Sequence, residues 1–99
     1  DNRLQNSMSI YKNNIKTAHL KALPSISRYF EKDMKKFFST QKFKKKLEDE
    51  SIEFTIDYTQ PMEILPFIQR WMPDLIILQP QELKDFYTEK LKSAISHYN

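Results

Sequence analysis

The segment 53–99 constrains the fold most strongly, because its hydrophobic period changes from one stretch to the next. Residues 53–59 (EFTIDYT) alternate between polar and apolar side chains, which is typical of a half-buried strand. Residues 63–72 (EILPFIQRWM) have apolar positions at helical spacing, and residues 75–78 (LIIL) form a short apolar run typical of a buried strand. Residues 83–98 again carry an apolar stripe at helical spacing. The sequence therefore predicts strand, helix, strand and a final amphipathic helix.

The composition excludes several classes of protein. Ninety-nine residues are enough for one domain with a single core. The chain has no cysteine, which excludes disulfides and thiolate metal sites and fits a reducing cytoplasm. It also has no glycine, which excludes the glycine-rich loops that hold phosphate in P-loop and dinucleotide-binding proteins. No apolar run reaches about 18 residues, so we expect a cytoplasmic domain without a membrane span.

The front half predicts a strand, a helix and a hairpin. Residues 15–22 (IKTAHLKA) alternate and predict the first strand. Pro24 is placed to start a helix, where its missing N–H costs nothing. Residues 41–47 and 52–58 predict a hairpin around the polar turn 48–51. The apolar stripe of the first helix, which we assign to the core, consists of Ile26, Tyr29, Phe30 and Met34.

The element order β-α-β-β-α-β-α predicts an α+β fold, a ferredoxin-like βαββαβ sandwich with one extra C-terminal helix. Right-handed crossovers place strands one and three in the centre of an antiparallel-rich four-stranded sheet of order 4-1-3-2. The helices are expected on one face, with Phe54, Trp71, Ile77 and Leu91 buried together beneath them. We assign residues 15–99 to this domain.

Lysines dominate the predicted second strand and the segment before it. Six of them fall within the acid-free range 35–46. In the simplest hairpin register, Lys46 faces Glu53 and Lys42 faces Asp57, so opposite charges pair across the strands. Lys44 then has no acidic partner. This arrangement predicts that Lys42, Lys44 and Lys46 lie on the face of the sheet that the helices leave open, and that Lys45 lies on the apolar side.

Two interpretations of the open face remain. It can be a solvated strand face, or a basic surface that attracts an anionic ligand or nucleic acid. The outward positions of the central strands carry no aromatic side chain, which disfavours an RNA-recognition module. Under the second interpretation, the candidate contact residues are His19, Lys21, Lys42, Lys44 and Lys46.

Catalysis is not predicted. His19 and His97 are far apart, and no cysteine or acidic cluster at ligand spacing accompanies them, so we expect no metal site. No serine lies in a recognisable nucleophile elbow. The sequence therefore predicts a protein that is not an enzyme and uses no cofactor.

Two longer stretches carry a family resemblance. The segment 11–46, with Ser39-Thr40-Gln41 before the second strand, resembles the front half of the C-terminal extension (WCX) domain of WYL-domain bacterial transcriptional regulators. The segment 52–98, with residues 78–83 (LQPQEL) opening the last helix, is similar to its back half. The likeness extends over residues 8–99.

Two turns depart from the family pattern. Members commonly carry one glycine in the hairpin turn and another before the last strand. This chain has Asp49-Glu50-Ser51 and Met72-Pro73 at these places. The departures concern turn geometry, and the topology implied by the resemblance is unchanged.

The resemblance implies a role in transcription regulation. Such regulators carry an N-terminal winged helix that binds DNA, then a WYL domain that senses a ligand, then the WCX domain. It implies a non-catalytic regulatory and oligomerisation domain that helps assemble a homodimer and frame the effector site. Its partners would be WYL domains of the same or a partner subunit, and DNA only through the winged helix. Residues 1–14 would be the linker from an upstream WYL domain. The alternative is a ferredoxin-like domain that binds a ligand or nucleic acid through its basic open face.

Overall fold

The computed structural model describes residues 14–99, so the predicted linker lies outside the described residues apart from Asn14. The strands are β1 (Lys16–Ala22), β2 (Lys42–Lys46), β3 (Ile52–Tyr58) and β4 (Leu75–Gln79). The helices are two short 3-10 helices, Ser27–Phe30 and Pro61–Glu63, and two α-helices, α1 (Leu65–Arg70) and α2 (Gln81–Tyr98). The four strands and the last two helical regions lie where the sequence predicts them.

The strands form one sheet of order β2-β3-β1-β4 in which every neighbouring pair is antiparallel. The predicted order is confirmed, with β1 and β3 in the centre. The structure is consistent with the ferredoxin-like type of α+β fold that the sequence predicts. β4 lies at one edge of the sheet and leads directly into α2.

The core lies between one sheet face and the segments that cover it. β1 and β3 supply buried residues at alternate positions, as their sequence pattern predicts. The buried apolar residues that cover this face are Phe30, Ile64, Leu65, Phe67, Ile68, Leu83 and Tyr87. Of the four residues predicted to be buried together, Phe54 and Ile77 belong to the core. Trp71 and Leu91 are only half-buried against it, so the prediction is wrong for these two.

The predicted first helix is replaced by the 3-10 helix Ser27–Phe30 and a series of turns that continues to β2. The buried side chain of Gln41 explains part of this outcome. Its Oε1 accepts the backbone N–H groups of Phe37 (2.8 Å) and Phe38 (3.4 Å). These donors are satisfied by a side chain, so they need no carbonyl four residues earlier. The prediction of a regular helix beginning at Pro24 is therefore wrong.

The apolar stripe assigned to that helix is also divided. Phe30 is buried and Ile26 is half-buried, as predicted. Tyr29 and Met34 are exposed, because without a regular helix their spacing no longer places them on the buried side. The core assignment is wrong for both residues.

The hairpin turn places Glu50 in the left-handed region, at φ 80°. Leu47 accepts the N–H of Glu50 at 3.0 Å, and Asp49 Oδ1 accepts the N–H of Ser51 at 2.9 Å. The bond from Ser51 holds the pKa of the Asp49 carboxyl below its usual range. A hydrogen-bonded turn followed by a left-handed residue is a common three-residue hairpin loop. Glu50 thus occupies a position where glycine carries no steric cost.

Replacing Glu50 with glycine is expected to raise the free energy of unfolding by about 0.5–1 kcal/mol, because a Cβ in the left-handed region is unfavourable. The exposed ion pair between Glu50 and Lys46 (3.2 Å) is lost, but such a pair contributes little. Urea unfolding measures the change. Glu48→Gly in the same turn is the control, and it is expected to be neutral or destabilising. Equal effects of the two variants on the free energy of unfolding would contradict the left-handed conformation of Glu50.

Candidate interaction surfaces

A β-bulge in β2 places Lys42 and Lys46 on opposite faces of the sheet. Lys44 lies in this bulge and is skipped by the ladder. The pairs predicted between Lys46 and Glu53 and between Lys42 and Asp57 are wrong, because the three-residue turn shifts the register by one residue and the bulge shifts it by another. An extra residue in one strand reverses the facing of every residue beyond it, and an alternating pattern of lysines does not reveal it. The observed pairs are Lys42–Thr55, Phe43–Phe54, Lys45–Glu53 and Lys46–Ile52.

Lys46 is the candidate contact residue that does not lie on the open face. It lies opposite the buried residue Ile52, on the covered side of the sheet. Its Nζ contacts Glu31 at 2.8 Å and Glu50 at 3.2 Å. These hydrogen bonds, the one to Glu31 first, raise the pKa of Lys46 above its ordinary value. Its predicted place on the open face is wrong, and Lys45 takes that place opposite Glu53.

The open face carries charges of both signs. His19, Lys21 and Lys42 lie on it, as their ladder positions require. The carboxylates of the central strands have partners there. His19 Nε2 lies 2.9 Å from Glu53 Oε1, and Thr17 donates a hydrogen bond of 2.9 Å to Asp57 Oδ1. The partners of Glu53 and Asp57 are therefore His19 and Thr17, in place of the predicted lysines. Ligand contact by His19, Lys21, Lys42, Lys44 or Lys46 stays a prediction.

An apolar groove of about 410 Å³ separates β4 from α2. Its floor contains Ile77, and its α2 side contains Tyr87 and Leu91. The hydroxyl of Tyr87 is buried without a hydrogen-bond partner among residues 14–99. Beyond Leu91, every residue of α2 is exposed, and Tyr98 is 90% exposed. The last turns of α2 thus project past the groove. The complete lining is Met72, Pro73, Leu75, Ile76, Ile77, Leu78, Lys84, Tyr87, Thr88 and Leu91.

A second surface lies where the segment between β1 and β2 meets α1. Its rings pack on one another, with centroids 5.2 Å apart for Tyr29 and Trp71, 5.8 Å for Phe37 and Trp71, and 5.4 Å for Phe37 and Phe67. Although these contacts are extensive, Tyr29 is 37% exposed and Phe37 is 45% exposed, beside Met34 at 46%. We call this the aromatic–basic surface, and it comprises Arg28, Tyr29, Met34, Lys35, Lys36, Phe37 and Arg70.

Cationic side chains surround the exposed rings of this surface. The Arg28 guanidinium carbon lies 4.7 Å from the centre of the Tyr29 ring, and Arg28 donates a 3.0 Å hydrogen bond to the Tyr29 hydroxyl. Lys35 and Lys36 line a cavity beside Phe37, and Arg70 lines another. Sequence reasoning missed the surface because it assigned Tyr29 and Met34 to the core. The available signal was the direct succession of Lys35, Lys36 and Phe37.

Among residues 14–99, no group of three histidine, cysteine or acidic side chains is arranged to hold a metal ion. None of the helices in this range is both long and apolar enough to cross a membrane.

A comparison with protein-family models identifies the family of this chain. The model of the WCX domain family matches residues 16–95. The chain belongs to the WCX domain family. The match begins at β1 and extends through most of α2, so it covers the whole sheet and the groove of this WCX domain. The resemblance to the WCX domain is confirmed. No curated protein matches the chain.

Proposed function

We propose that this WCX domain is the non-catalytic C-terminal regulatory and oligomerisation domain of a WYL-type transcriptional regulator. It helps to assemble the dimer and to frame the effector site. Membership of the WCX family supports the setting. The observation that carries the assembly role is the apolar face of α2, which the domain itself covers only in part. A full-length protein without a WYL domain would contradict the setting.

The apolar face of α2 is a continuous stripe that leaves the core along the helix. Tyr87 and Leu91 line the groove, and Ile95 and Tyr98 follow at spacings of four and three residues. Ile95 and Tyr98 are exposed, so the stripe continues past the point where the sheet ends. An apolar stripe that runs out of a groove into water is suited to contact a partner surface.

A second copy of this chain is the partner that the shape favours. A two-fold axis near Leu91 sets two α2 helices antiparallel, so Ile95 and Tyr98 of each copy lie against the groove of the other. One contact thus covers both projecting ends, and the assembly closes as a dimer. The helix is about 27 Å long. A contact made along this one helix buries less area than the roughly 800 Å² per partner of a standard interface. The isolated domain therefore associates weakly, and the rest of the regulator contributes further contact area.

The absence of cysteine from the chain permits a direct test of this geometry. We expect Leu91→Cys to form a disulfide-linked dimer under mild oxidation, because the two introduced thiols meet near the axis. Glu89→Cys is the matched control, since Glu89 lies on the exposed side of α2. Non-reducing electrophoresis measures the linked fraction.

Sedimentation supplies the independent readout of the same prediction. The unmodified chain is expected to show weak self-association at high concentration, and Ile95→Lys is expected to abolish it, because a lysine would be desolvated in the interface. A strict monomer, or stronger crosslinking through Glu89→Cys than through Leu91→Cys, would contradict the dimer.

A further inference from the structure

We propose that the aromatic–basic surface binds single-stranded nucleic acid. Phe37 provides the ring on which a base stacks, and Lys35, Lys36 and Arg70 contact the neighbouring phosphates. This site lies on the covered side of the sheet, away from the open face. It requires neither a dimer nor the groove, so it goes beyond the assembly role.

The ring of Phe37 is held in place from behind. Phe67 and Trp71 pack against it at centroid distances of 5.4 and 5.8 Å, and its backbone N–H is bonded to the buried Gln41. Its outer side remains exposed beside Tyr29. A fixed ring loses little conformational entropy when a base stacks on it, and every base presents a flat face.

Shallow cavities on two sides of Phe37 combine apolar and cationic walls. One of about 370 Å³ is lined by Tyr29, Met34, Lys35, Lys36 and Phe37. The other, of about 440 Å³, is lined by Phe37, Phe38, Pro66, Phe67 and Arg70. A nucleotide presents a flat apolar base next to a charged phosphate. Each cavity offers the two corresponding types of contact within one nucleotide's reach.

The charges of this region favour an anion. Within residues 14–99, Lys35, Lys36 and Arg70 make no ion pair with an acidic side chain. Glu31, one of the two acids in the segment 28–38, is already paired with Lys46 at 2.8 Å. The unpaired cations are therefore available to phosphates, which displace counterions when they bind.

A single strand fits these contacts better than a duplex does. In a duplex the bases are stacked on one another, and only the phosphates can reach the lysines. Phe37 would then remain exposed and contribute nothing. The aromatic–basic surface is therefore expected to bind single strands more tightly than duplexes, and this preference depends on the ring of Phe37.

The test uses a fluorescently labelled oligothymidylate of about 12 nucleotides, a length that covers a typical site. Anisotropy at low salt reports binding to the 99-residue chain. Trp71 is the sole tryptophan and packs against Phe37, so its fluorescence should change when a base stacks there.

Phe37→Leu, which keeps apolar bulk but removes the ring, is expected to weaken binding about 10-fold. Phe86→Leu is the matched control, because Phe86 is also an exposed ring beneath a lysine, with Lys90 Nζ at 5.1 Å. Phe86 lies on α2, outside the aromatic–basic surface, so this variant should leave affinity unchanged.

The lysines are tested separately from the ring. Lys35→Glu combined with Lys36→Glu is expected to lower affinity and to reduce the salt slope by about 1.4, since each single-strand phosphate contact contributes about 0.7. Lys90→Glu combined with Lys92→Glu is the control for net charge. Circular dichroism establishes that each variant is folded.

Several results would overturn the proposal. These are no binding at low salt, equal affinity for duplex and single strand, or equal losses in the Phe37 and Phe86 variants. Equal affinity for polyglutamate would assign the surface to acidic protein partners instead. None of these results bears on the α2 dimer, because the crosslinking variant lies outside this surface.

Discussion

Replacing Phe30 with alanine is expected to lower the free energy of unfolding by about 3–5 kcal/mol. Phe30 is 2% exposed, and its ring stacks on Phe54 at a centroid distance of 4.7 Å. It also meets Phe67 and Trp71 edge to face, at 6.2 and 5.2 Å. The segment between β1 and β2 lacks a regular helix, so this ring supplies much of its attachment to the sheet. A cavity at this position cannot be closed by a simple helix shift, which places the expected loss at the high end for a core residue.

Tyr29→Ala is the matched control, because the adjacent ring is more than one third exposed. It is expected to cost less than half as much as Phe30→Ala, since it removes fewer buried contacts. Urea unfolding followed by circular dichroism measures both. Similar losses for the two variants would mean that the segment is attached in some other way than through Phe30.

Replacing Leu83 with alanine is expected to cost about 2–5 kcal/mol. Leu83 is 1% exposed and lies in the first turn of α2, where the helix meets the core. Together with Tyr87 it makes up the buried residues of this helix. Removing three carbons here leaves a cavity and loosens α2 from the sheet. The groove between α2 and β4 would therefore lose its shape together with the stability.

Leu91→Ala provides the comparison for this helix. The sequence pattern places Leu91 on the same stripe as Leu83, but the structure leaves it half-buried. Its truncation is expected to cost clearly less, because fewer buried contacts are lost. Urea unfolding ranks the two variants. A loss at Leu91 equal to that at Leu83 would show that α2 is docked along more of its length than the structure describes.

Much of the fold could be predicted because the sheet follows the simplest pattern of burial. Residues 52–58 alternate without interruption, and β3 has these bounds. The apolar run at 75–78 predicted the edge strand β4 to within one residue. Once four strands and their order in the chain were known, the handedness of crossovers left few arrangements of the sheet.

The segment between β1 and β2 could not be predicted, because its structure depends on distant partners. Gln41 binds the N–H groups of Phe37 and Phe38, and the side-chain hydroxyl of Thr40 accepts the N–H of Asp57 at 3.1 Å. Helical spacing of apolar residues gives no information about such bonds. Tyr29 and Met34, which the pattern assigned to the core, therefore became part of the surface.

The predicted register of the hairpin was wrong for a similar reason. Consecutive lysines have no apolar alternation that would indicate which of them is skipped, so the bulge at Lys44 is invisible in the sequence. Its effect on the candidate site is large, because together with the three-residue turn it separates Lys42 on the open face from Lys46, which pairs with Glu31 on the covered side. The basic surface predicted on the open face was thereby divided between two sides of the sheet.

The projecting end of α2 has a consequence for local unfolding. From Lys92 to Tyr98 no side chain is buried, so these turns receive no tertiary support. Helical order there depends on propagation from the anchored half, and serines such as Ser93 and Ser96 are weaker helix formers than alanine. The end of the helix therefore frays at little cost, and its amide protons exchange more readily than those nearer Leu83. A partner that binds this end must also order it, so substitutions that never touch the partner would still tune its affinity.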